Sequence, residues 1–118
     1  MASNYTKTFP VSWQELHRDA KALAWRLVGN GPWKGIVAVT RGGLVPAAIV
    51  ARELDVRVVD TISVKTYDHM TMGSATVLKA PAPDTRSESE GRWLIVDDLV
   101  DTGTTAKVVR ELMPGAHF

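Results

Sequence analysis

The stretch Leu94-Ile95-Val96-Asp97-Asp98-Leu99-Val100-Asp101-Thr102-Gly103-Thr104-Thr105-Ala106 joins three unlike pieces: an apolar triplet, a segment carrying three acids, and threonines around one glycine. The triplet, with Arg92 and Trp93 before it, predicts a short strand. Carboxylates placed directly after such a strand are costly unless something pairs with them. Gly103 to Met113 has helical spacing, stopped by Pro114-Gly115. The stretch therefore predicts strand, acidic turn and helix, with the turn at the carboxyl end of its strand.

The same unit recurs upstream. Gly35-Ile36-Val37-Ala38-Val39 is a continuous apolar run, the pattern of a strand covered on both faces. Thr40-Arg41-Gly42-Gly43 follows, then a helix through Ala47 to Leu54 with Pro46 tolerated in its first turn. Before these, Ser12-Trp13-Gln14-Glu15 has the form of a capping box, with Val11 and Leu16 placed as a staple. Leu16, Ala20, Leu23, Ala24 and Leu27 repeat behind it at helical spacing, and Gly29-Asn30-Gly31-Pro32 ends the run. Val56 to Val64 reads as one or two strands and Thr76 to Lys79 as a short one. Lys65 to Ala75 loses periodicity and is expected to be a mobile excursion, and Ala80 to Gly91 a surface loop. Ala116-His117-Phe118 looks like the start of a further strand. Strands alternating with helices predict an α/β fold, a mostly parallel sheet flanked by helices. Trp13, Trp25, Trp33 and Trp93 are expected to pack with a polar edge.

Bulk composition narrows the class. A chain of 118 residues with 45% apolar and 23% charged residues fits one globular domain. Three histidines and no cysteine exclude a disulfide framework and thiolate metal sites. A net charge of +1 gives no electrostatic reason to expect nucleic acid. No apolar run approaches the ~20 residues needed to span a bilayer. The N-terminus lacks a signal pattern, so the expectation is a cytoplasmic domain.

In open α/β sheets ligands sit beyond the carboxyl ends of the strands, where both unusual segments fall. The Asp97–Thr105 segment opens a helix, whose amides and positive dipole end favour a phosphate. Thr102, Thr104 and Thr105 add hydroxyls, and Gly103 allows a close turn. Asp97 and Asp98 suit a sugar diol or a hard cation such as magnesium. Together these describe a phosphorylated ribose. Rival readings fail on particular residues. A calcium loop starting at Asp98 would have Val100 and Val109 at ligand positions. Asp101-Thr102-Gly103 matches the aspartic-protease triplet, but those enzymes are almost all β and this chain carries three helical patterns. Helix capping accounts for one acid, not three.

The stretch resembles the phosphoribosyl pyrophosphate (PRPP) motif of type I phosphoribosyltransferases: an apolar strand, two acids, then a Thr-Gly-x-Thr loop. Thr40-Arg41-Gly42-Gly43-Leu44-Val45-Pro46 and its surroundings, Trp33 to Val39, Val77-Leu78-Lys79 and the closing Ala116-His117-Phe118 look like the bacterial xanthine-guanine branch of that family. The resemblance implies purine salvage: transfer of 5-phosphoribosyl from PRPP to xanthine or guanine, less to hypoxanthine, giving nucleotide and pyrophosphate. It implies that Asp97 and Asp98 take the ribose hydroxyls and that Asp98 helps place Mg2+. Asp101 faces the purine near N7 as general base. Leu99 and Val100 belong to the PRPP motif, and Thr102, Gly103, Thr104 and Thr105 cradle the 5′-phosphate. Arg41, Gly42 and Gly43 hold pyrophosphate in a loop that often carries a non-proline cis peptide. Lys65, Thr66 and Tyr67 begin a flexible loop that closes over the site.

Where that loop commonly offers a basic residue, this chain has Gly73, and Lys65 or Lys79 is the expected substitute. The family also carries a C-terminal lysine that reads the purine and an aromatic that stacks on it. The expectation is a single phosphoribosyltransferase domain over residues 1–118, incomplete at its C-terminus and in its hood relative to the family. Members are homo-oligomers, commonly tetramers, cytoplasmic and at most peripheral at the inner membrane. A PRPP-sensing regulator of the same fold would need a basic face, which a net charge of +1 does not supply.

Overall fold

The computed structural model describes residues 10–67, 74–82, 93–99 and 103–118. Helix α1 spans Trp13–Leu27 and runs into a short 3-10 turn, Val28–Asn30. Its capping box forms as the spacing predicts: the Glu15 amide donates to Ser12 Oγ at 3.0 Å, and the Ser12 amide to Glu15 Oε1 at 3.0 Å. Strand β1 is Gly35–Val39, helix α2 Leu44–Glu53, strand β2 Val59–Tyr67, strand β3 Ser74–Lys79, strand β4 Trp93–Val96 and helix α3 Thr104–Leu112.

The four strands lie in the order β3-β2-β1-β4. β1 pairs in parallel with β2, Val39 opposite Ile62, and with β4, Ala38 opposite Val96. β3 returns antiparallel along β2. The closing residues continue the parallel pattern: the His117 amide donates to the Trp93 carbonyl at 2.9 Å, and the Ile95 amide to the His117 carbonyl at 2.8 Å.

Alternation along β1 and β4 divides the core in two. Ile36, Ala38, Leu94 and Val96 face Ala20 and Ala24 of α1 and Ala47, Val50 and Ala51 of α2. Val37, Val39, Trp93 and Ile95 face Val109 of α3 and Met113. Small residues on α1 and α2 let these helices lie close to the sheet. Trp93 takes the space above Gly35, where a Cβ would collide with its indole ring. Burying each large aliphatic side chain here contributes about 1.5–3 kcal/mol, and every residue of β1 and β4 is buried.

Two expectations change. β2 extends through Tyr67 and β3 starts at Ser74, so Lys65, Thr66, Tyr67 and Ala75 belong to a paired hairpin and not to an excursion. Backbone pairing across β2 and β3 holds them, which the mixed polar sequence does not signal. Residues 68–73 of the expected excursion lie outside the described ones, as do residues 83–91 of the expected surface loop and Arg92 of the expected strand. Trp13 and Trp25 are 75% and 70% exposed, so only Trp33 packs with its polar edge satisfied, while Trp93 is buried with its indole N–H unpartnered among the described residues. The Trp33 indole donates to the Leu27 carbonyl at 3.1 Å, and its ring meets the His117 ring edge-on at 5.7 Å.

Candidate active site

Parallel pairing of β1 and β4 carries their two following segments to one end of the sheet. After β1 the chain turns tightly: the Gly43 amide donates to the Val39 carbonyl at 2.8 Å, and the Leu44 amide to the Arg41 carbonyl at 3.1 Å. The Thr40–Arg41 peptide is cis. Gly43 is buried, and a Cβ there would strike the Val39 and Val96 carbonyls. A Cβ on Gly42 would fall inside the Asp98 carboxylate. The absence of two side chains is thus what lets the Arg41-Gly42-Gly43 turn lie directly against the acids after β4. Arg41, Gly42, Asp97 and Asp98 line one cleft of about 530 Å³, which continues as an apolar groove between α1 and α2 past Val45, Leu23 and Trp13.

The acids differ in setting. Asp98 is exposed and Asp97 half-buried. Burial, together with the neighbouring Asp98, holds the Asp97 carboxyl above the usual carboxylate range, although the Asp98 amide donates to Asp97 Oδ1 at 2.8 Å. Leu99 is exposed. Val100, Asp101 and Thr102 lie outside the described residues. Beyond them Gly103 has φ 86°, a left-handed conformation that suits glycine. α3 then opens with Thr104 and Thr105, both half-buried. Its N-cap is Gly103, which has no side chain with which to cap the helix.

The site therefore gathers Arg41, Gly42, Gly43, Asp97 and Asp98, with Leu99, Gly103, Thr104 and Thr105 on the flanking segment. Lys65 sits on β2 opposite Thr76, Thr66 opposite Ala75 and Tyr67 opposite Ser74. Lys79 is committed elsewhere: its ammonium donates to Asp60 Oδ1 at 3.0 Å and to the Thr61 and Ala80 carbonyls at 2.9 and 3.3 Å. In this structure those bonds hold it at the base of the β2–β3 hairpin. Among the described residues no three His, Asp or Glu side chains gather into a metal cluster. No described helix is long and apolar enough to cross a membrane.

Two residues near the site had no role expected of them. Thr40 and Ser63 place their hydroxyls in contact across β1 and β2. Thr40 ends the apolar run of β1 just before the Arg41 turn, whereas Ser63 lies in a strand already mixed with Asp60 and Thr61 and carries no such signal.

The phosphoribosyl transferase domain family profile matches residues 12–116. The chain is 56% identical to the xanthine-guanine phosphoribosyltransferase of Nitratidesulfovibrio vulgaris strain DP4, over 99% of this chain and 69% of that protein. It is 55% identical to the enzyme of the same name from Desulfotalea psychrophila, over 100% of this chain and 71% of that protein. Among solved structures, a purine phosphoribosyltransferase from Pyrococcus horikoshii superposes with a TM-score of 0.75 at 32% identity, covering 88% of this chain and 66% of that one.

Proposed function

The chain belongs to the phosphoribosyl transferase domain family, and on that premise we propose that residues 1–118 act as one domain transferring 5-phosphoribosyl from PRPP to xanthine or guanine. It is a glycosyltransferase of purine salvage, forming nucleoside monophosphate and pyrophosphate. The observation that carries this reading is the seating of Gly42 against Asp98, which brings an anion-holding turn and a diol-binding acid pair into one cleft.

Each residue has a task in the reaction. Arg41 and the amides of Gly42 and Gly43 hold the pyrophosphate, and its developing charge is met there by a fixed cation and fixed dipoles. Asp97 and Asp98 accept the ribose hydroxyls. Thr102, Gly103, Thr104 and Thr105 take the 5′-phosphate on backbone amides and the three threonine hydroxyls, with Leu99 and Val100 part of the same PRPP motif. The C1′–oxygen bond breaks with its electron pair on pyrophosphate, a purine nitrogen bonds to C1′, and Asp101 takes the purine's proton near N7.

The acid pair fits a hard divalent cation. Both carboxylates offer oxygens, and burial with the adjacent Asp98 disfavours the charged form of Asp97, a cost that a bound cation would offset. Asp98, the exposed member, would hold Mg2+. The ion when bound supplies charge neutralisation for PRPP. Magnesium commonly keeps several waters and substrate oxygens, so a pair of acids suffices without a larger cluster. The protein is assigned to the cytoplasm as a homo-oligomer, a tetramer as in the family, with at most peripheral membrane contact. Exposed Trp13, Leu44 and Val45 supply apolar surface for such contacts.

The test is nucleotide formation from PRPP and magnesium with guanine, xanthine and hypoxanthine, with Asp101→Asn alongside. Product from guanine or xanthine is expected, falling about 10²–10⁴-fold in the variant as loss of a general base implies. No product with any base from folded protein would rule the reading out.

A further inference from the structure

Thr40 is the last residue before the Arg41 turn. The parallel register pairs Val39 with Ile62 and, extended by one residue, sets Thr40 opposite Ser63. The Thr40 amide donates to the Ile62 carbonyl at 2.9 Å. Its hydroxyl lies 2.5 Å from Ser63 Oγ and 3.4 Å from the Ile62 carbonyl, with both residues half-buried. Ser63 marks a further boundary, because the β2–β3 register shifts between Ser63 and Val64. Beyond it β2 continues as one arm of the hairpin with β3. The hydroxyl pair thus joins the start of the turn to the root of the hairpin arm.

Strand pairing alone does not call for these hydroxyls. Valine has nearly the shape of threonine, suits a strand well, and would keep the backbone bond to Ile62. The hydroxyl instead adds a directional contact at the point where the chain leaves the sheet. The amide bonds of Gly43 and Leu44 close the turn on its own segment, whereas Thr40 ties it sideways to β2. Direction matters here because Gly42 and Gly43 sit against Asp98 and the Val96 carbonyl with no room for a Cβ. A small rotation of the turn would move Arg41 and both glycine amides relative to the acids, and misplacement of about 1 Å is enough to cost binding or catalysis heavily.

We propose that the Thr40–Ser63 hydroxyl pair is a positioning device that aims the Arg41-Gly42-Gly43 turn at the Asp97–Asp98 acids and so sets affinity for PRPP. The inference rests on the transferase reading, and neither hydroxyl touches the reacting atoms. Because the two act as one contact, their removal is not additive.

The experiment is steady-state kinetics of the full chain with Thr40→Val, Ser63→Ala, the double variant and Thr40→Ser, each checked for folding by thermal melting. The expected result is a KM for PRPP raised about tenfold, the scale of one lost hydrogen bond in a buried polar site. The purine KM and kcat should change by less than about twofold, a split that loss of fold stability alone would not produce. The double variant should be no worse than the more affected single, and Thr40→Ser should restore the PRPP KM. An unchanged PRPP KM in Thr40→Val, or additive losses, would overturn the inference while leaving the transferase reading intact. Should Thr40→Val not fold, Ser63→Ala decides by the same criterion. Failure of both to fold would make the pair structural and overturn it. Folded wild-type protein without turnover would overturn the inference and the transferase reading together.

Discussion

Asp97 stands at the end of a buried strand with a second carboxylate as its neighbour, and this placement sets binding against folding. Burial and Asp98 raise its pKa on folding. The native state then holds that proton more tightly than the unfolded chain. Ionising the group subtracts stability as pH rises from the ordinary carboxylate value through the folded one, and the loss persists at neutral pH. Asp97→Asn removes the charge while leaving an Oδ1 to accept the Asp98 amide. In urea without ligand at pH 7 the variant should be more stable than wild type, and this advantage should disappear at pH 3. Its PRPP affinity should fall about 10–100-fold, the range for a lost hydrogen bond to a charged acceptor. Denaturation midpoints at the two pH values with PRPP titrations check both halves. A variant that is less stable at pH 7 would show that the half-buried carboxylate is not a burden on the fold.

At the scale of elements, the hairpin of β2 and β3 is held at its base by one acid. Asp60 accepts from the Thr61 amide at 2.7 Å, the Ala82 amide at 2.8 Å and the Lys79 ammonium at 3.0 Å. Burial opposes its ionisation, but the Ala82 and Thr61 amides and Lys79 outweigh it, leaving the carboxyl below its ordinary value. The stability this contributes is fully present above the unfolded pKa of about 3.9 and is lost as pH falls through the folded one. Asp60→Asn should cost about 1–2 kcal/mol at pH 7, read from urea unfolding, and the gap to wild type should close in strong acid. A gap that persists unchanged there would assign the cost to packing. Sequence reading found the ends of β1, α2, β4 and α3 because those elements carry periodicity, caps or motifs. It misjudged Lys65–Tyr67, whose strand pairing comes from β3 and leaves no alternation in its own residues. It offered Lys65 or Lys79 for the loop's missing basic residue without seeing the Lys79–Asp60 pairing, which joins residues too distant in sequence to be legible.

For the molecule as a whole, the site belongs to two segments far apart in sequence, Arg41–Gly43 and Asp97–Thr105, each following a different strand of the parallel pair β1 and β4. Their chemistry was legible residue by residue, because acids, glycines and threonines in that order have few other uses. That both lie beyond the carboxyl ends of their strands was legible as well, but the close seating of one on the other was not. It depends on Gly42 and Gly43 having no side chain where Asp98 and Val96 arrive, a coincidence of positions that only the packed sheet produces. A ligand spanning both segments acts as a clamp across β1 and β4, and through them across both halves of the core. PRPP with magnesium at 100 times its Kd should therefore stabilise the native chain by about 2.7 kcal/mol, which for a domain of this size corresponds to roughly 10 °C in Tm. Pyrophosphate alone engages chiefly the Arg41 turn and ribose 5-phosphate chiefly the Asp97–Thr105 segment. At equal concentration each should therefore raise Tm by much less than PRPP, the shortfall reflecting the effective concentration gained by linking the two groups. Thermal melts with the three ligands test this directly. A PRPP shift no larger than that of pyrophosphate would mean that the acid segment does not take the ribose, and that the two halves of the cleft do not hold one substrate.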